Sequence, residues 1–149
     1  MKQAIQTQRK GLRQPAVVAW LRLARVFQKI STLSERSFRM QDLNTGQFDV
    51  LAQIGAAPGI SQQELASALL VTKGNISQLL SKMEREGLVR RQQEGRTNCL
   101  SLTAEGQALF DRVVPQQEAL IADALSPLSS TEQTELVRLL RKLDHTLAP

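Results

Sequence analysis

Tyrosine is absent from this chain of 149 residues, cysteine and histidine occur once each, and aromatic residues make up only 3%. Each scarcity excludes a class of protein. A lone Cys99 leaves no intramolecular disulfide and no cysteine-built zinc cluster. His145, close to the C-terminus, has no second histidine with which to build a metal site or a conventional triad. No run approaches the roughly 18 apolar residues of a membrane helix. The opening MKQAIQTQRKGLRQP is basic but has no apolar stretch, unlike a secretory signal. What remains is ordinary: 42% hydrophobic and 22% charged residues, the composition of a single folded domain over 1–149. The expectation is a cytoplasmic protein, not an enzyme, with no cofactor, no bound metal and no membrane partner.

The net charge of +5 is unevenly spread. Residues 1–40 carry nine Lys/Arg against one acid, and residues 72–102 carry six against three. Residues 41–71 and 103–149 are each net acidic. Basic blocks of this kind fit a polyanion, most simply nucleic acid, and fit a solvated surface about as well. Single-strand and RNA binders stack bases on aromatic side chains. With four Phe, one Trp and no Tyr, the chain fits duplex DNA better. The basic tail before Pro15 either touches DNA backbone or keeps the chain in solution.

Hydrophobic spacing predicts helices and one hairpin. Pro15 opens a helix over about 15–38, through Val17, Trp20, Leu21, Ala24, Phe27 and Ile30. Trp20 reads as a core anchor. A short helix capped by Thr45 runs through Phe48, Leu51, Ala52 and Ile54 and stops at Gly55-Ala56-Ala57-Pro58-Gly59. Ser61-Gln62-Gln63-Glu64 has the form of a capping box before Leu65, Ala66 and Leu69. Leu70-Val71-Thr72 makes a turn, with Thr72 capping a helix over about 73–86. Strands at 89–92 and 98–102 flank a loop with Gly95 as its turn residue. Thr103 caps a long helix over about 104–125, which contains Pro115, and a last helix begins at Ser129-Ser130-Thr131-Glu132.

The helix over 73–86 carries the functional signal. Ile76, Leu79, Leu80 and Met83 form one narrow apolar stripe. Gly74, Ser77, Gln78, Ser81, Lys82 and Arg85 take the other side, with Asn75 on its flank. Short helices followed by a two-stranded ribbon make a winged helix-turn-helix, whose second helix enters the major groove. The expected DNA-binding residues are Thr72, Lys73, Gly74, Asn75, Ser77, Gln78, Lys82, Arg91 and Arg96. Gly74 lets backbone approach DNA, and the first N–H groups of the helix face phosphate. Asn75 and Gln78 carry the amide that pairs with adenine, and Ser77 suits a base or a phosphate. Lys73 and Lys82 suit phosphate, and Arg96 suits a narrow minor groove. An alternative keeps the fold but makes it a protein-interaction module that never reads DNA. Such a face should show exposed Leu, Phe or Tyr anchors, and this one has none.

The stretches LNTGQFDVLAQIG and SQQELASALLVTKGNISQLLSKMEREGLVRRQQEGRTNCLSLTAEG resemble the MarR (multiple antibiotic resistance regulator) family over residues 43–106. The resemblance implies a mainly α fold with a small β-wing and a helical dimerisation region. Residues 15–43 and 104–149 would interlock two subunits, and residues 44–103 would form the DNA-binding region. It implies a homodimer on a palindromic operator, usually a repressor, released by a small molecule. Two positions depart from the family pattern. Glu94-Gly95-Arg96 stands where an Asp-x-Arg wing is usual, and Gln78 stands where many members have arginine.

The effector is left open. One family branch senses oxidants through a helix-1 cysteine and tyrosines, which this chain lacks. Another senses urate-like anions through a helix-1 tryptophan and an aspartate at the place of Ser81. A small aromatic or anionic effector beside Arg22, Arg25 or Arg39 fits the chemistry of arginine. Cys99 reads as an inert strand residue, with Arg90, Arg91 and Arg96 as the cations that would activate it otherwise.

Overall fold

The computed structural model describes residues 14–69 and 73–147. Pro15 sits at the start of α1 (Pro15–Arg39), where its missing N–H is not needed. α1 leads through a tight turn into α2 (Thr45–Ala56). The cap of α2 is Asn44 rather than Thr45: Asn44 Oδ1 accepts from Gln47 N at 2.8 Å, and Gln47 Oε1 accepts from Asn44 N at 3.0 Å. The reciprocal pair satisfies two backbone donors at once, which a threonine one residue later cannot do from inside the helix.

α3 (Gln62–Ala68) is capped by Ser61, whose Oγ accepts from Glu64 N at 3.0 Å. α4 (Lys73–Arg85) follows. The turn at 70–72, and with it the expected cap and DNA contact of Thr72, lies outside the described residues. The wing consists of β1 (Val89–Glu94) and β2 (Thr97–Leu102), antiparallel and in register from Val89 opposite Leu102 to Glu94 opposite Thr97. Its strands are longer and its loop shorter than the hydrophobic pattern indicates. The polar pairs Gln93–Asn98 and Glu94–Thr97 extend the ladder beyond the apolar residues.

β2 is held on both edges. Leu100 N donates to Ile60 O at 2.9 Å and Gly59 N to Leu100 O at 2.8 Å, so the segment before α3 is tied to the wing. Thr103 caps α5 (Ala104–Ala124) by accepting from Gly106 N at 3.0 Å, and its hydroxyl donates to the Gly87 carbonyl. At Gly106 a Cβ would collide with the Leu88 carbonyl oxygen, so the strand-to-helix junction needs glycine. Ser129 and Glu132 form the expected reciprocal box at the start of α6 (Ser130–Thr146).

The core sits under the winged helix. Val50, Leu51, Ile54, Leu65, Ile76, Leu80, Met83 and Leu100 are almost wholly buried, and Phe38, Leu109 and Val113 close it from α1 and α5. The outer part of α1 and all of α6 contribute no buried hydrophobic residue. Trp20 is 65% exposed and Phe27 72%, which corrects the expectation of Trp20 as a core anchor. The core of one chain closes without either ring, because α1 reaches beyond the elements that could cover them. No helix among the described residues is long and apolar enough to cross a membrane.

Candidate nucleic-acid interface

α4 divides cleanly into two sides. Ile76, Leu80 and Met83 are buried, and Leu79 packs against the core from its rim. Gly74, Asn75, Gln78, Lys82 and Arg85 are exposed, and Ser77 and Ser81 are half-buried. This outer face carries no large exposed hydrophobic side chain. Lys73 forms the first residue of the helix.

Arg91 has partners inside the protein. Its Nε donates to Glu84 Oε1 at 2.6 Å and its Nη2 to Ser81 Oγ at 2.7 Å. Ser81 Oγ donates in turn to the Ser77 carbonyl at 2.9 Å. The arginine expected at the DNA surface therefore joins β1 to the last turns of α4, with its side chain only 20% exposed. It also pairs with the Glu84 carboxylate, so the two charges offset each other. The second acid of this region, Glu86, lies 3.9 Å from Lys82 and accepts from Gln47 Nε2 at 3.4 Å. Lys82 is half exposed, and so loose a surface pair leaves its ammonium available to solvent or phosphate.

Gly95 and Arg96 form the two-residue loop of the wing. Gly95 has φ +64°, the left-handed value that a tight hairpin needs at its first loop position. Arg96 is exposed beside Gln62, Gln63, Thr97 and Asn98, which line one shallow groove with it. Asn98 Nδ2 lies 3.5 Å from Gln62 Oε1. Sequence reasoning passed over Gln62, Gln63 and Asn98. The two glutamines follow the Ser61 cap, and the pairing of residues 59–61 with β2 brings them beside the wing tip.

Cys99 faces acid rather than arginine. Its Sγ lies 3.6 Å from Glu94 Oε2, and burial, followed by Glu94 and the more distant Glu64, pushes the thiol above its ordinary range. The expected cationic neighbours Arg90, Arg91 and Arg96 do not supply the setting of a reactive thiolate. Among the described residues no group of three or more His, Cys, Asp or Glu side chains is arranged to hold a metal ion.

A second concavity of about 610 Å³ lies between α1, α2 and α5. Its walls include Phe27, Ile30, Phe38, Phe48 and Ile121, and its polar lining includes Glu35, Asp49 and Gln117. Arg22 and Arg25 are not among its lining residues, and Arg39 lines the neighbouring groove with Glu35. Burial raises the Asp49 carboxyl above the usual carboxylate range.

A capped helix pair, an exposed polar recognition helix and a short basic-tipped ribbon define a winged-helix DNA-binding protein. The MarR family model matches residues 41–97. An uncharacterized HTH-type transcriptional regulator of Bacillus cereus is 38% identical over 125 residues, 83% of this chain and 85% of that protein. A cysteine-to-serine mutant of MarR from Escherichia coli complexed with operator DNA superposes with a TM-score of 0.76 at 25% identity, over 87% of this chain and 95% of that one. AbsC, a MarR family transcriptional regulator from Streptomyces coelicolor, has the same fold with a TM-score of 0.81 at 23% identity, over 87% and 92% of the two chains. The chain belongs to the MarR family of transcriptional regulators.

Proposed function

We propose that the protein is a homodimeric repressor that binds a palindromic operator and leaves it when a small molecule binds. The observation that carries the DNA reading is the outer face of α4. It is exposed, polar and free of apolar anchors, while the acids nearest to it are engaged by Arg91, Lys82 and Gln47. Such a face offers hydrogen bonds to base edges and nothing to a protein pocket.

In this reading Thr72, Lys73, Gly74, Asn75, Ser77, Gln78 and Lys82 meet the major groove and its phosphates. Arg96 enters the adjacent minor groove, with Gln62, Gln63 and Asn98 against the backbone beside it. Arg91 acts through α4, by fixing the angle between recognition helix and wing, rather than by touching DNA. The relative solved with operator DNA supports the same docking here.

Dimerisation is supported by the uncovered apolar residues at both ends of the chain. Trp20, Leu21, Val26 and Phe27 on α1, and Val137, Leu140 and Leu143 on α6, are all exposed in the single chain. A soluble monomer rarely leaves so extensive an apolar surface in water. In this reading residues 15–43 and 104–149 form the dimerisation region and residues 44–103 the DNA-binding region.

Selection of bound fragments from genomic DNA at about 0.15 M salt tests the proposal, with an Arg96→Ala/Lys82→Ala protein beside it. A palindrome with half-sites about one helical turn apart is the expected result. No enrichment over the double variant would overturn the DNA reading.

A further inference from the structure

Two acids stand at the end of α4, and each is held from another element. Glu84 is taken by Arg91 of β1. Glu86, the residue after the last of α4, is reached from α2: Gln47 Nε2 donates to Glu86 Oε2 at 3.4 Å. Gln47 is only 3% exposed, and both ends of its amide are in use. Its Oε1 accepts from Asn44 N, and its own backbone N donates to Asn44 Oδ1. The capping of α2 therefore fixes which end of the amide points at Glu86, and that end is a donor.

Glu86 needs a donor from outside its helix. It follows a helix C-terminus, where the last carbonyls carry partial negative charge and a carboxylate is disfavoured. Its other oxygen, Oε1, lies 3.9 Å from Lys82 Nζ. Lys82 precedes Glu86 by four residues, the less favourable order for a helical ion pair. One carboxylate is thus shared between a buried amide, set in place by the cap of α2, and a flexible surface ammonium. The amide decides where the carboxylate stands, and the ammonium reaches it only at the limit of an ion pair.

We infer that Gln47 is a positioning residue for DNA binding: by anchoring Glu86 it keeps that carboxylate from closing on Lys82, and so leaves the Lys82 ammonium for a DNA phosphate. Gln47 itself touches no DNA in this arrangement. The inference rests on the reading of Lys82 as a phosphate contact. Without the anchor Glu86 closes on Lys82, and one phosphate contact is lost together with the counterion it would release.

Gln47→Glu tests the inference. The new carboxylate keeps an acceptor for Asn44 N and replaces the donor to Glu86 with a second negative charge. Binding of the full chain to a random-sequence DNA duplex is titrated across salt concentrations, with melting temperatures recorded for every variant. Gln47→Glu is expected to lower the slope of log K against log salt by about one, and affinity at about 0.15 M salt by about fivefold. Gln47→Glu/Glu86→Gln has the net charge of the unsubstituted chain, with donor and acceptor exchanged, and is expected to restore both. In a Lys82→Ala background Gln47→Glu is expected to change the slope no further. An unchanged slope in Gln47→Glu, a folded double variant that does not restore it, or an equal effect in the Lys82→Ala background would overturn the inference. Lys82→Ala alone reports on the underlying reading. If it lowers the slope and Gln47→Glu does not, only the anchoring role is refuted. If it leaves the slope unchanged, Lys82 meets no phosphate and both fall. A second readout needs no Gln47 variant: the side-chain amide resonances of Gln47 in the isotope-labelled chain are expected to shift in Glu86→Ala. Unmoved resonances refute the anchor even where Gln47→Glu does not fold.

Discussion

Arg91 Nε and Glu84 Oε1 lie 2.6 Å apart, joining the first strand of the wing to the last turn of the recognition helix. The same guanidinium reaches Ser81 Oγ, so three side chains lock two elements that both face the proposed DNA. An arginine expected at the DNA surface from the sequence is thereby bonded inside the protein.

Arg91→Ala should destabilise the fold by about 1–3 kcal/mol, because it leaves the partly buried Glu84 carboxylate without its partner. DNA affinity should fall while the slope of log K against log salt stays unchanged. A lost phosphate contact would instead lower that slope by about one. Urea unfolding and binding at several salt concentrations separate the two roles. Glu84→Gln should reproduce the stability loss in weaker form.

Arg96→Ala should do the reverse. Arg96 is exposed at the wing tip, so stability should change by no more than about 0.5 kcal/mol. Affinity should drop, the salt slope should fall by about one, and preference for a narrow minor groove should relax. Unchanged affinity would remove the wing from the mechanism.

Gln78→Ala should relax base preference at one position of each half-site by about 1–3 kcal/mol. Competition between operator variants measures this. A uniform loss across all sequences would show that Gln78 reads no base.

Two glycines should respond in opposite ways. Gly106→Ala drives a Cβ into the Leu88 carbonyl and should unfold the wing-to-α5 junction, lowering stability by several kcal/mol. Gly74→Ala meets nothing within 4 Å and should raise helix stability by about 1 kcal/mol. If Gly74 marks close backbone approach to DNA, the same alanine should weaken binding. Thermal melts and DNA titrations of the pair check both statements.

Cys99 should react slowly with alkylating reagents. Burial and the Glu94 carboxylate favour the thiol, so less thiolate is present at any given pH and the rate profile moves to higher pH than that of a free cysteine. Glu94→Gln removes one cause and should shift the profile back down. Rates of iodoacetamide labelling between pH 7 and 10 test the direction.

Much of the architecture was legible in residue order. Ile76, Leu80 and Met83 at helical spacing put α4 on the core, and Ser129 with Glu132 marked the start of α6. The shift from helical to alternating spacing after Gly87 located the wing. These are local signals, set by backbone periodicity and by caps that satisfy N–H groups within one turn. Local signals err where two local solutions compete, as when Asn44 rather than Thr45 capped α2.

Partnership across distance was decided only in three dimensions. Nothing in the order of residues reveals that Arg91 meets Glu84 and Ser81, that Gln62 and Gln63 stand beside Arg96, or that Glu94 faces Cys99. A charged side chain in the sequence is only a charge; whether it is spent on a neighbour or left for a ligand depends on what folding brings within about 3 Å of it. The apolar spacing of α1 likewise promised burial for Trp20 and Phe27 without saying by what. Periodicity determines which face of a helix avoids water, and the packing of the whole chain determines whether its own residues can cover that face.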